Sequence, residues 1–79
     1  MAYTRTIENG QRLLVIVNAG ARAEADFRID AASLGLDPER EFTDLVTGEP
    51  VAKILPNHPD KWRPVSTIRP YATHIIELD

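Results

Sequence analysis

The sequence LLVIVNAGARAEADFRID, residues 13–30, contains two kinds of strand pattern. Its first five residues are all apolar, which is typical of a strand that is buried on both faces. From residue 23 to residue 30, apolar and polar residues alternate, which predicts a half-buried antiparallel strand with one solvent-exposed face. The question that follows is what covers the second face of the strand at 13–17, since the whole chain has only 79 residues.

The length and composition of the chain limit how its core can be stabilised. A domain of this size buries only about 60% of the surface that its unfolded chain exposes. There is no cysteine to form a disulfide, and His58 and His74 are too few for a structural zinc site. We therefore expect a partner surface to support the core, and we interpret residues 1–79 as a single β-domain cut from a larger chain.

Charge and hydropathy argue against two classes of partner. The net charge is −3, and acidic and basic residues are mixed along the chain, whereas nucleic-acid-binding proteins cluster Lys and Arg on one face. The longest apolar run, residues 13–17, is far shorter than the roughly 20 residues that span a bilayer. We predict neither nucleic-acid binding nor membrane insertion.

About seven short strands are predicted along the chain. Asn9-Gly10, between two strand-like runs, is the strongest short hairpin signal in the sequence. Asp30 or Ser33 could cap a single helical turn that Gly35 would close. Turn residues and prolines separate the other segments, so the pattern predicts an all-β antiparallel sandwich or barrel. The predicted strands lie at 3–7, 13–17, 23–30, 40–46, 51–55, 65–68 and 71–78.

No group of residues in the sequence predicts a catalytic, metal or cofactor site. Ser33 and Ser66 lie in no nucleophile-elbow sequence and have no histidine nearby in the chain. His74 alternates with apolar residues, which predicts a partly buried strand histidine, and the NHPD sequence at 57–60 is interpreted as a loop. The remaining candidates are carboxylates that we interpret as solvated surface charges, namely Asp26, Asp30, Glu39 and Glu41.

Two large aromatic residues have alternative interpretations. Trp62 lies in a polar, proline-rich loop, and Tyr71 follows Pro70 at the start of the last predicted strand. Exposed rings at these positions could serve as stacking platforms for sugars. Alternatively, Trp62 folds its loop down over the sandwich edge, and Tyr71 packs on the core with its hydroxyl at the rim.

Three segments, taken in order, resemble a known domain family. They are LLVIVN at 13–18, FTDLVTGEPV at 42–51 and IRPYATHIIEL at 68–78. Their order and spacing are similar to those of the C-terminal β-domain of the α-amylase family (glycoside hydrolase family 13). In that family a strand of the type vlvvlN precedes a D-L-L-T-G-E segment and a last strand introduced by L-x-P-Y. The segment RTIENGQRLLVIVN at 5–18 also fits, so the resemblance covers nearly the whole chain.

The resemblance implies a fold, a partner and the absence of catalytic residues. The family's catalytic carboxylates lie in a preceding (β/α)₈ barrel, so no catalytic residue is expected in this chain. The family's C-domain is an antiparallel Greek-key β-sandwich that packs against the barrel of the same parent chain. Leu14 and Ile16, on one side of the strand at 13–17, could then meet the second sheet, a covering loop or the barrel. The segment 53–67 is longer than the family pattern, and its role stays open.

Two functional hypotheses of different classes follow from these observations. The first is a non-catalytic accessory domain that packs against and stabilises the barrel of a glycoside hydrolase or transglycosylase acting on α-glucans. The second is a carbohydrate-binding module that holds α-glucan on Trp62 and Tyr71. An unrelated small β-domain used for protein interaction is the third interpretation, because a fold does not specify a function.

Overall fold

The protein contains one small antiparallel sheet. The computed structural model describes residues 1–7, 9–25 and 27–79. Strand β2 lies between β1 and β3 and runs antiparallel to both. Within the described ranges there is no α-helix, and no helix is long and apolar enough to cross a membrane. The regular elements are β1 (Ala2–Thr6), β2 (Arg12–Val17), a 3₁₀ turn (Pro59–Lys61) and β3 (Thr73–Glu77).

The hairpin between β1 and β2 forms where the Asn-Gly signal predicts it. The register pairs Tyr3 with Val15. The side-chain oxygen of Asn9 accepts a hydrogen bond from the Gln11 N–H at 2.9 Å. Gly10 has a φ of 85°, a left-handed value that a residue without a Cβ adopts at little cost. Glu8, which belongs to the same predicted turn, lies outside the described residues.

The remaining predicted strands form an irregular second layer. The chain is β-rich as predicted, but within the described residues the sheet has three strands and is open, so four of the seven predicted strands are not formed as ladders. The other segments make single bridges, among them Glu24 with Ile68 and Ile29 with Trp62. Prolines lie close to both ends of the segments 51–55 and 65–68, where they remove N–H donors and limit a ladder to isolated pairs. The alternation predicted at 23–30 includes Asp26, which lies outside the described residues.

The hydrophobic core lies between the sheet and this second layer. The side chains of Leu14, Ile16 and Ile76 project from one face of the sheet and are almost completely buried. Below them Trp62 packs against Phe42, with ring centroids 5.3 Å apart and planes tilted by 48°. The full buried cluster is Leu14, Ile16, Ile29, Ala31, Phe42, Ile54, Trp62, Ile68, Ile76 and Leu78.

A short turn and the C-terminal residue are tied to the start of β2. The Ser33 N–H donates to the Asp30 carboxylate at 3.1 Å, and the chain turns back at Gly35, as the sequence predicts. The Arg12 guanidinium donates to the Leu34 carbonyl at 2.7 Å and pairs with Asp79 at 3.0 Å. One arginine therefore links β2, this turn and the end of the chain.

Candidate interaction surface

The two faces of the sheet have different surroundings. Leu14 and Ile16, for which the second sheet, a covering loop and the barrel were the alternatives, are 2% and 0% exposed because they belong to the chain's own core. Side chains alternate along a strand, so Leu13, Val15 and Val17 project to the opposite face. The surface available to a partner is therefore on the odd-numbered positions of β2, and Leu14 and Ile16 are turned inward.

The odd-numbered face, called the outer face below, is apolar and lacks a covering layer among the described residues. Tyr3 pairs with Val15 across the first ladder, and Ile75 pairs with Val15 across the second. Val15 is 9% exposed but belongs to no buried cluster, so its own strand neighbours shield it. Tyr3 is 45% exposed, and Leu13, Val17 and Ile75 are partly exposed. The apolar members of the outer face are Met1, Tyr3, Leu13, Val15, Val17 and Ile75.

A turn at residues 44–48 extends the apolar surface beyond β3. The Leu45 N–H donates to the Ile75 carbonyl at 2.7 Å, which holds the turn against the edge of β3. Leu45 and Val46 are 51% and 57% exposed. Gly48 has a φ of 74° and closes the turn through a hydrogen bond to the Asp44 carbonyl at 2.8 Å. Two exposed apolar side chains are thus held in place beside the edge of β3.

Asp44 anchors this turn through a buried carboxylate. One of its oxygens lies 2.6 Å from His74 Nδ1, and the other accepts the Val46 N–H at 2.9 Å and the Ile75 N–H at 3.4 Å. Burial alone would raise the pKa of Asp44, but the hydrogen bonds from His74 and these two amides outweigh it and hold the pKa below its ordinary value. The ionised carboxylate can only accept, so Nδ1–H of His74 donates this hydrogen bond. His74 is partly buried, as predicted.

Asn18 anchors the opposite end of β2. Its side-chain amide is buried and donates to the carbonyls of Arg22, Ile68 and Arg69 at distances of 2.7–3.1 Å. Its carbonyl oxygen accepts the Gly20 N–H at 3.0 Å. A buried amide with satisfied donors and acceptor is favourable, whereas an unsatisfied one would be strongly unfavourable. This side chain therefore fixes the loop after β2 to the segment that leads into β3.

The two aromatic candidates occupy different environments. Trp62 is 1% exposed, and its indole N–H donates to the Ala52 carbonyl at 2.7 Å, so neither face of the ring is available to a sugar. This is the burial that the alternative interpretation of the loop predicts. Tyr71 is 72% exposed and has a φ of 59°, an uncommon value for a bulky residue. The structure therefore presents this ring to solvent, and the predicted packing of Tyr71 on the core is wrong.

Among the described residues considered for chemistry, the two serines and His74 are not joined to one another by hydrogen bonds. The Ser33 hydroxyl donates to the Asp30 carbonyl at 2.9 Å. Ser66 and His74 line one groove of about 550 Å³, but no hydrogen bond joins them. Within the described ranges, no three His, Cys, Asp or Glu residues are grouped as metal ligands.

Comparison with family models, with curated proteins and with solved structures found no match to this chain. The assignment of the outer face as an interaction surface therefore rests on the structure alone. Sequence reasoning did not separate the two faces of β2, because all five residues from 13 to 17 are apolar and carry no periodic signal. The residues that distinguish the two faces lie outside β2. They are the polar residues Arg5 and Glu77, which the register places on the outer face.

Proposed function

We propose that this chain is a non-catalytic accessory domain of an α-amylase-family enzyme acting on α-glucans. Its outer face packs against the catalytic barrel of the parent enzyme and stabilises that barrel. The observation that carries the proposal is the apolar outer face, which no second layer of the described residues covers. Soluble monomeric proteins rarely expose a large continuous apolar patch, and such patches mark interaction sites.

The free energy available from burying these apolar side chains is consistent with a docking role. Full burial of a Val, Leu, Ile or Phe side chain stabilises by about 1.5–3 kcal/mol, and burial of a half-exposed side chain by about half of that. Tyr3, Leu45 and Val46 are each about half exposed. Together with the partly exposed residues of β2 and β3, they could supply several kcal/mol of association energy before the entropic penalty of association.

The segments that carry the family resemblance coincide with the points that hold this structure together. Asn18 ends the first of these segments and makes four hydrogen bonds. Asp44 and Gly48 form the turn of the second segment, and Tyr71 lies at the turn before β3. These residues position the outer face and its neighbouring turn, which is the role that an accessory domain needs from them.

The finer architecture is part of the same proposal. We assign the irregular second layer to the position of the second sheet in a Greek-key sandwich. The support is the set of antiparallel bridges, in which Glu24 meets Ile68, Ile29 meets Trp62 and Thr43 meets Pro50. In this arrangement the core lies between the layers and the outer face is directed at the barrel.

The decisive experiment measures binding between this chain and the barrel of the parent enzyme. The reading frame upstream of residue 1 should encode a (β/α)₈ barrel, and this barrel, produced separately, should bind residues 1–79 and gain thermal stability. Leu45→Ser should weaken binding, whereas Leu55→Ser, which changes an equally exposed leucine in another loop, should not. A barrel that neither binds nor gains stability would overturn the proposal, as would equal effects of the two substitutions.

The carbohydrate-binding alternative now depends on Tyr71 alone. Its support is the 72% exposure of that ring, since Trp62 is buried. A titration of the ¹⁵N-labelled chain with maltoheptaose into the millimolar range, where binding free energy is only about −4 kcal/mol, tests it. Saturable shifts at Tyr71 that Tyr71→Ser removes and Tyr3→Ser retains would favour this function. An absence of shifts would exclude it.

A further inference from the structure

The first edge of the sheet carries backbone groups that no described residue pairs. Met1 and Val17 exchange two hydrogen bonds of 2.8 Å, and the Ile7 N–H donates to the Gln11 carbonyl at 2.9 Å. Bonded pairs alternate along an antiparallel ladder, so Tyr3 and Arg5 also bond to β2. The N–H and C=O groups of Ala2, Thr4 and Thr6 consequently point away from β2, toward the free edge.

The opposite edge of the sheet is occupied. The outward groups of β3 include those of Ile75, whose C=O accepts the Leu45 N–H and whose N–H reaches the Asp44 carboxylate. On β1, by contrast, a groove of about 440 Å³ separates Ala2 and Thr4 from the segment 27–30 and the turn at 33–34. Native edge strands are usually protected by proline, lysine, a bulge or a covering segment. Of the five residues of β1, only Arg5 is charged, and none is proline or lysine.

We propose that the free edge of β1 pairs with β1 of a second copy of this chain. The two strands run antiparallel about a two-fold axis at Thr4, which faces its own copy. Ala2 of each copy then faces Thr6 of the other, and each of these pairs exchanges two main-chain hydrogen bonds. The result is one continuous six-stranded sheet, built from the three strands of each copy.

The side chains of β1 are complementary in this register. Tyr3 and Arg5 form the non-hydrogen-bonded pairs, in which side chains approach most closely, so each guanidinium lies against the ring of the other copy. A register displaced by two residues shortens the ladder. In one direction it also places Arg5 opposite Arg5 of the second copy, and two like charges in a cross-strand pair are unfavourable. The symmetric register is therefore the one that uses the whole strand and opposes no like charges.

The test is the association state of the intact chain and of a matched pair of proline variants. Sedimentation velocity between about 10 µM and about 1 mM covers the affinity range of so short a ladder. Thr4→Pro removes an N–H that points away from β2, so it should leave the monomer folded and weaken dimerisation at least tenfold. Thr73→Pro removes the equivalent outward N–H on β3 and should leave dimerisation unchanged.

Amide hydrogen exchange gives a second measurement that needs no variant. Protection of the Thr4 and Thr6 amides should rise with protein concentration, whereas protection of the Thr73 amide should not. A wild-type chain that stays monomeric at about 1 mM overturns the proposal. Association that persists in the Thr4→Pro variant also overturns the proposal. So does association that is lost in Leu13→Ser and kept in Thr4→Pro, because the contact would then lie on the outer face.

Discussion

Ile75 and Ile76 are neighbours in β3 and lie on opposite faces of the same sheet. Ile76 is 0% exposed and packs within the core, whereas Ile75 is partly exposed and projects to the outer face. Both faces carry apolar side chains, yet within the described residues the irregular second layer covers only one of them. The difference indicates that one face supports folding, and our proposal assigns the other to a partner.

The sharpest test of this comparison replaces the two isoleucines separately. Ile76→Ala should lower the free energy of unfolding by about 2–5 kcal/mol, because it leaves a cavity in the core. Ile75→Ala removes the same atoms from a face without a covering layer, so its effect should be less than half as large. Urea denaturation of the two variants measures both values, and equal losses would contradict the distinction between the faces.

Asn18 allows a second test, directed at how the outer face is positioned. Asn18→Ala deletes a buried amide that bonds the Arg22 carbonyl and the Gly20 N–H. The carbonyls of Ile68 and Arg69 also lose its hydrogen bonds but keep their backbone donors. The expected loss of unfolding free energy is about 1–3 kcal/mol. Asn57→Ala, in an exposed loop, is the control and should change little. If thermal denaturation shows similar melting temperatures for both variants, Asn18 does not anchor the loop.

The Asp44 carboxylate predicts an acid dependence of stability. The pKa of Asp44 is lower in the folded chain than in the unfolded chain, so its ionised form stabilises the fold. This contribution is present above the unfolded pKa of about 4 and is lost as the pH falls through the folded pKa. In denaturation measured from pH 7 to pH 2.5, the wild-type chain should lose more stability than Asp44→Asn. Parallel pH profiles for the two proteins would contradict this assignment.

The smallest effects on the free energy of unfolding are expected from substitutions of the exposed leucines, Leu45 and Leu55. Leu45→Ser and Leu55→Ser should each change the stability of the isolated chain by no more than about 0.5 kcal/mol, because both side chains are already half exposed. The two variants would then have similar stability as isolated chains and would differ only in their binding to the barrel. A large destabilisation by Leu45→Ser alone would show that this residue supports the fold rather than a contact.

The sequence predicted the features that depend on local chemistry. The Asn9-Gly10 hairpin, the strand at 13–17, the turn closed by Gly35 and the last strand are all present. These features follow from backbone preferences and from strand propensity, which act within a few residues. The sequence also offered burial as one of two fates for Trp62, and the structure has that outcome.

The features that sequence reasoning missed depend on pairing between distant segments. Four predicted strands have suitable composition, but a strand needs a neighbouring ladder, and their single bridges do not provide one. The direction of Leu14 and Ile16 was likewise decided by β1 and β3, whose register places these side chains inward. Asp44 and His74 are 30 positions apart, so nothing local to either residue predicted their contact.

The occupied edge of β3 has a consequence for the size that any assembly of this chain can reach. A sheet with two open edges can keep recruiting copies at both ends, which is how fibrils elongate. Here Asp44 and Leu45 fill the hydrogen-bonding positions of Ile75, so among the described strands β1 has the edge without such a block. In the proposed dimer each copy covers the β1 edge of the other, so growth by strand addition is expected to stop at two copies.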